Sequence, residues 1–161
     1  MWTVLSLSKY TVFTIAGEEF GIELGRVVEV MRPQKATPLP KVPYFVDGVI
    51  NLRGTIIPVM DLRKRLNVKP SSRKERIIVT KMHGEKMGIL VDSVTEIIDI
   101  DDSQIAPSPS IFKGLKPEYM SGIGKVKKRL IVILSLDNLL TSEEMIMLDE
   151  RKEELSPEDL S

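Results

Sequence analysis

Cysteine is absent from the 161 residues. Disulfides and thiolate metal sites are therefore excluded, and a reducing cytoplasm suits the chain. Histidine occurs once, as His83 in "HGEK". That position reads as an exposed turn residue rather than a general base, and one histidine without cysteine makes a zinc site implausible. Neither sign of charge is in excess, with 23 basic and 23 acidic residues, so the total suggests neither nucleic acid nor an anionic membrane as a partner. No apolar run approaches the roughly 18 residues of a membrane helix. The opening "MWTVLSLSKYTVFTI" lacks a basic leader region and reads as a strand, not a signal peptide. Glycine-rich phosphate loops are missing. "DIDD", Asp99 to Asp102, lacks the glycine and terminal glutamate of a calcium loop and reads as an acidic turn at a strand end. The serines lie in linkers without a partner base. An enzyme is hard to assemble from such parts.

What is present is strand composition, written twice. "YTVFTI", "RIIVTKM", "GILVDSV", "TEIIDI" and "RLIVILSL" are rich in Val, Ile and Thr and bounded by Gly, Pro or Asp. "GEEFGIELGRVVEV" (17–30) and "GEKMGILVDSVTEI" (84–97) share six of fourteen residues at a shift of 67 (84 − 17). "GVINLRGTIIPVMDL" (48–62) aligns with "GIGKVKKRLIVILSL" (122–136) at a shift of 74 (122 − 48). The turns at Gly17 and Gly84 predict equivalent hairpins. Between the paired blocks run Pro-rich linkers suited to extended connections. The organisation is a repeat over 1–70, a second over 71–140, and a tail over 141–161. Each repeat has about five short strands, which points to a small barrel, because closure removes exposed edges. Ile57, Val59, Ile131 and Ile133 alternate along matched strands and are expected to fill the barrel interiors.

The tail predicts a helix. Thr141 and Glu144 have capping-box spacing, and Leu140 and Met145 sit at the staple positions. Met145 and Leu148, with Ile146 beside them, would face a barrel, and "SPEDLS" would be a frayed end. A shorter helix is expected after Asp61. Three surface features remain. "VVEV" (27–30) is apolar on both faces of a strand, either because it lies between the barrels or because one face awaits a partner. Arg53, in the turn of "NLRG", is solvated, paired with an acid, or available to a partner. "KVKKR" (125–129) is basic and would serve a barrel that binds single-stranded nucleic acid. No aromatic accompanies it, and a solvated hairpin tip is the simpler reading.

"GEEFGIELGRVVEV", "FVDGVINLRGTIIPVMDLRKRL", "GILVDSV" and "LLTSEEMIMLDE" resemble the CheW family of bacterial chemotaxis coupling proteins, over about residues 9–149. The related kinase CheA and the CheW–receiver fusion CheV need further domains that this length would not hold. The resemblance implies an all-β fold with a C-terminal helix: two small five-stranded OB- or SH3-like barrels with strand exchange between them. It implies no enzymatic activity, cofactor or metal, and a cytoplasmic adaptor not inserted in the membrane. Such an adaptor joins the cytoplasmic tips of chemoreceptors to CheA. Its receptor groove maps onto Leu24, Val27 and Val30, with Val91 and Val94 from the second repeat. Glu29, Gly48 and Arg53 map onto positions tied to receptor coupling, and the kinase contact falls mainly on the second barrel. Met31, in "EVMRP", departs from the usual lead into the linker. Binding of single-stranded nucleic acid is the rival function.

Overall fold

The computed structural model describes residues 7–69, 75–107 and 115–160. In chain order the elements are β1 (Leu7–Ile15), β2 (Glu18–Glu23), β3 (Val27–Met31), β4 (Val46–Leu52), β5 (Thr55–Asp61) and α1 (Leu62–Arg65). They continue with β6 (Arg76–Met82), β7 (Glu85–Val91), β8 (Ser93–Asp101), β9 (Ile105–Ala106), β10 (Met120–Val126), β11 (Arg129–Leu134) and α2 (Ser142–Glu153). The hairpins β1–β2 and β6–β7 form where the two glycine turns predicted them. Ala16 and Gly17 have φ of 53° and 82°, and His83 and Gly84 have 51° and 79°. Two consecutive positive φ values mark the type I′ turn, whose twist matches that of its flanking strands.

The strands assort into two sheets, ordered β8-β1-β2-β11-β10-β9 and β3-β6-β7-β5-β4. The six-stranded sheet takes its first hairpin from the first repeat and the rest from the second. The five-stranded sheet does the reverse. The exchange is sealed by matched parallel ladders, Val132 beside Phe20 and Val59 beside Gly88. Sequence repeat and spatial sheet are thus different divisions of the chain. Two short connections carry the chain between the sheets. Only residues 24–26 separate β2 from β3, and only Asp92 separates β7 from β8. Each connection passes the chain directly from one sheet to the other. Ladders do not join the end strands of either sheet among the described residues.

Alternation then fills three apolar cores. Ile57, Val59, Ile77 and Val79 fill the five-stranded sheet's interior, and Tyr10, Val12, Ile131 and Ile133 fill the other's. The intervening residues, such as Met60, Ile78, Val132 and Leu134, face a third core shared by both sheets. That double burial explains the uninterrupted apolar run 131–134 inside "RLIVILSL". The interior positions expected for Ile57, Val59, Ile131 and Ile133 are those observed.

The sheets are stapled through Arg63, in α1, which is 3% exposed. Asp61 caps this helix, its Oδ1 accepting from the Arg63 backbone N–H at 3.0 Å and from Nε at 3.0 Å. Arg63 Nη1 donates to Asp92 Oδ1 at 3.1 Å, and Nη2 to Glu75 Oε1 at 3.0 Å. Asp92 in turn accepts from the Ala16 N–H at 2.8 Å, in the other sheet. Burial opposes the charge on Arg63, but the carboxylates of Asp61, Glu75 and Asp92 outweigh it and hold the guanidinium pKa above its ordinary value.

The capping box at α2 is formed. Thr141 Oγ1 accepts from the Glu144 N–H at 3.1 Å, and Glu144 Oε1 accepts from the Thr141 N–H at 2.8 Å. Leu148 is buried and Met145 packs on the shared core, but Ile146 is 57% exposed and faces solvent rather than a barrel. The 100° step per residue turns it away from its neighbour's face. Thr141→Ala is expected to destabilise α2 by about 0.5–2 kcal/mol. Faster amide exchange over 142–153 checks this, and unchanged exchange would contradict it. Within "SPEDLS" the described residues 156–160 include a short 3-10 turn, Pro157–Asp159, with the Ser156 N–H donating to Asp159 Oδ2 at 2.8 Å; Ser161 lies outside the described residues.

Candidate partner-binding surface

β3 is an edge strand of the five-stranded sheet, paired antiparallel with β6. Val27 lies opposite Thr80 and Glu29 opposite Val79, so Val28 is the extra residue of a bulge. Directly opposed residues share a face. Past the bulge, Val30 opposes Ile78 and Met31 opposes Ile77. Val27 and Val30 therefore share the face that turns toward the shared core, although strict alternation would separate them. Glu29 and Met31 turn toward the barrel interior, where Met31 packs. Val27 is half-buried against the shared core, while Val30 is 43% exposed and Val28 37%. The ambiguity in "VVEV" resolves physically: the bulge gives this strand one covered face and one open apolar edge.

The second repeat reproduces the device on β8, the edge of the other sheet. Val94 opposes Phe13 and Glu96 opposes Val12, leaving Thr95 as the bulged residue at the position equivalent to Val28. Ile97 opposes Thr11 and is 56% exposed. Val94 and Ile97 thus match Val27 and Val30 (27 + 67 = 94; 30 + 67 = 97). Two short apolar rows result, one on each sheet, each starting at the rim of the shared core. Ile97 was not singled out from the sequence. The signal was available, because it is the repeat equivalent of Val30.

Leu24 lies half-buried in the three-residue crossover before β3. That crossover is pinned by Arg26, which pairs with Asp137 and donates Nε–H to the Lys81 carbonyl at 2.9 Å. His83 joins it, its backbone N–H donating to Asp137 Oδ1 at 3.1 Å and its Nε2 lying 2.7 Å from the Asp137 carbonyl. The Arg26 guanidinium holds the Asp137 carboxyl below its ordinary pKa. Val91, the equivalent of Leu24, lies beneath the surface. Its side chain is fully buried in the shared core, so it supports the surface from beneath and offers no contact to a rigidly docked partner. The alternation of β7 turns it inward.

Glu29 and Arg53 are brought together as an ion pair. Arg53 sits at φ 49° beside Gly54 at 86° in the β4–β5 turn, and its side chain is 69% exposed. The pair spans the sheet's two ends, since β3 and β4 are its edge strands. The other sheet has a counterpart in Glu96 with Arg129, which also donates Nη2 to Glu19 at 2.6 Å. Gly48 plays a different part. The linker after β3 crosses over it, with Thr37 N–H donating to the Val49 carbonyl at 2.8 Å and Val49 N–H to the Thr37 carbonyl at 2.9 Å. Gly48 is the point where linker and strand touch. "KVKKR" lies at the tip of the β10–β11 hairpin, whose strands carry no aromatic.

Among the described residues no group of His, Asp or Glu is arranged to hold a metal ion. No helix among them is long and apolar enough to cross a membrane.

Comparison with known proteins bears on this geometry. The family model of the CheW-like domain matches residues 9–144. The chemotaxis protein CheW of Klebsiella aerogenes is 34% identical over 143 residues, covering 88% of this chain and 86% of that protein. The chemotaxis protein CheW of Bacillus subtilis is 33% identical over 137 residues, covering 84% and 88%. The crystal structure of the scaffolding protein TtCheW from Thermoanaerobacter tengcongensis superposes with a TM-score of 0.79 at 37% identity, covering 85% of this chain and 94% of that one. Duplicated bulges, exchanged hairpins and matched relatives lead to one assignment: the chain belongs to the CheW-like domain family.

Proposed function

We propose that the chain is a non-enzymatic cytoplasmic adaptor of chemotaxis, coupling the helical-hairpin tips of chemoreceptors to the histidine kinase CheA without cofactor or metal. The observation that carries this reading is the pair of apolar rows, Val27 with Val30 and Val94 with Ile97, left open at the edges of both sheets. An amphipathic helix lays its apolar face on such rows. Arg53, paired with Glu29 of the strand that bears Val27 and Val30, supplies a fork-shaped donor for a carboxylate or carbonyl on the partner. By the family resemblance the kinase contact falls mainly on the second repeat, apart from Val27 and Arg53 of the first. The two contacts couple when both favour the same signalling state.

Val27→Ser and Arg53→Ala test this. Each is expected to weaken binding of a receptor-tip fragment by about 1 kcal/mol or more, while binding of CheA and the melting temperature stay close to those of the parent. Normal receptor-tip binding by both variants defeats the assignment. So does loss of both partners together through unfolding.

A further inference from the structure

The family model stops at residue 144, yet the chain beyond it is bound to the turn that carries Arg53. Asn51 makes the link. Its Oδ1 accepts from the Gly54 N–H at 2.9 Å, clamping the turn, and its Nδ2 donates to the Pro157 carbonyl at 3.3 Å. The Pro157 carbonyl is held in place by the 3-10 turn, accepting also from the Leu160 N–H at 3.2 Å. On one side Leu155 and Pro157 border a cavity of about 400 Å³ with Gly54, Thr55 and Ile56. On the other, Leu160 borders one of about 250 Å³ with Val49, Ile50 and Asn51. The last residues therefore lie along β4 and reach the start of β5.

We infer that residues 155–160 are a strap that positions Arg53: they fix the Asn51 amide, which fixes the β4–β5 turn, which aims the guanidinium at Glu29 and at a docked partner. Arg53 at φ 49° and Gly54 at 86° form the same type I′ turn as Ala16–Gly17 and His83–Gly84, and here the Asn51 amide adds a side-chain clamp. One planar amide serves both bonds, so a rotation that releases the Pro157 carbonyl also swings the acceptor away from Gly54. No residue of the strap touches the partner in this arrangement. Asn51 and the strap are positioning residues, and the inference rests on the receptor-docking reading above.

The test uses the full-length chain with Asn51→Asp or Leu160→Ser. Asn51→Asp keeps an acceptor for the Gly54 N–H and removes the donor to Pro157. Leu160→Ser loosens the strap and leaves Asn51 intact. Amide exchange at Gly54 and Thr55 is measured beside titration with a receptor-tip fragment. Both variants are expected to speed exchange at the turn, and to weaken tip binding, about fivefold or more, the lower end of ordinary coupling between sites. The main melting transition should stay put. Unchanged exchange at Gly54 in both variants overturns the strap. Faster exchange with unchanged tip binding overturns its positioning role. If the parent chain itself fails to bind the tip, the docking reading falls, while the exchange data still decide whether the strap holds the turn.

Discussion

Arg63→Ala is expected to lower stability by about 3–5 kcal/mol, the usual result of removing one partner from a buried ion cluster. Asp61 and Asp92 are 4% and 3% exposed, so their carboxylates would be left desolvated without the cation that compensates them. Glu75, with its side chain 32% exposed, can turn to water and adds less. The effect is large because Asp92 is also the crossover between β7 and β8 and holds the Ala16 N–H of the opposite sheet. Losing Arg63 thus unpins one sheet from the other. Arg63→Lys should recover part of the loss, since an ammonium keeps the charge but not the fork that serves three carboxylates. Adding Asp61→Asn and Asp92→Asn to Arg63→Ala should recover more than Lys does if the penalty comes from uncompensated charge. Urea unfolding measures all three. An unmoved midpoint for Arg63→Ala would mean that packing alone holds the sheets together.

Gly48→Ala is expected to cost about 2–5 kcal/mol, combining overpacking with backbone strain. A Cβ at Gly48 would lie 2.0 Å from the Thr37 carbonyl oxygen and 2.6 Å from its carbon, at φ 140°. These are backbone atoms and no rotamer relieves them. The linker must lift away, breaking both hydrogen bonds between Thr37 and Val49. Because that linker continues from β3, the edge that bears Val30 moves with it, and receptor-tip binding should fall as well. Gly122→Ala is the internal control. At this equivalent position a Cβ meets Ile105 Cγ2 at 2.7 Å and the Ala106 carbonyl at 2.8 Å, a milder clash that is partly with a movable side chain. Gly48→Ala should therefore be the more damaging of the two by urea midpoint, with faster exchange at Thr37 and Val49. Equal effects at the two glycines would contradict the backbone-clash account.

Gly48, which the resemblance ties to receptor coupling, has a steric requirement that the resemblance could not reveal. Resemblance marks a position, and only the path of the linker shows that a side chain has no room there. Val91 teaches the converse lesson. It aligns with Leu24, yet the chain before β8 turns it into the core. Ile97 was legible in the repeat itself, at the equivalent of Val30. Arg63 was not, because an arginine in "DLRKRL" looks like its solvated neighbours until Asp92 and Glu75 arrive from distant parts of the chain.

From the sequence alone came the duplication, the equivalent hairpins at Gly17 and Gly84, the inward alternation of Ile57 with Val59 and of Ile131 with Ile133, and the cap at Thr141. Each depends on neighbours within a few residues, or on a periodicity that burial imposes locally. Which hairpin pairs with which repeat was settled only in three dimensions. The two hairpins have equivalent turns and the same apolar spacing, so local preference does not distinguish the exchanged pairing from the direct one. At residues 24–26 and at Asp92 the chain runs on from one sheet into the other instead of turning back on the hairpin just completed. Chain connectivity sends each strand into the other sheet. The same crossing creates the shared core, the Arg63 staple across it, and the two bulged edges that leave Val27 with Val30, and Val94 with Ile97, turned the same way.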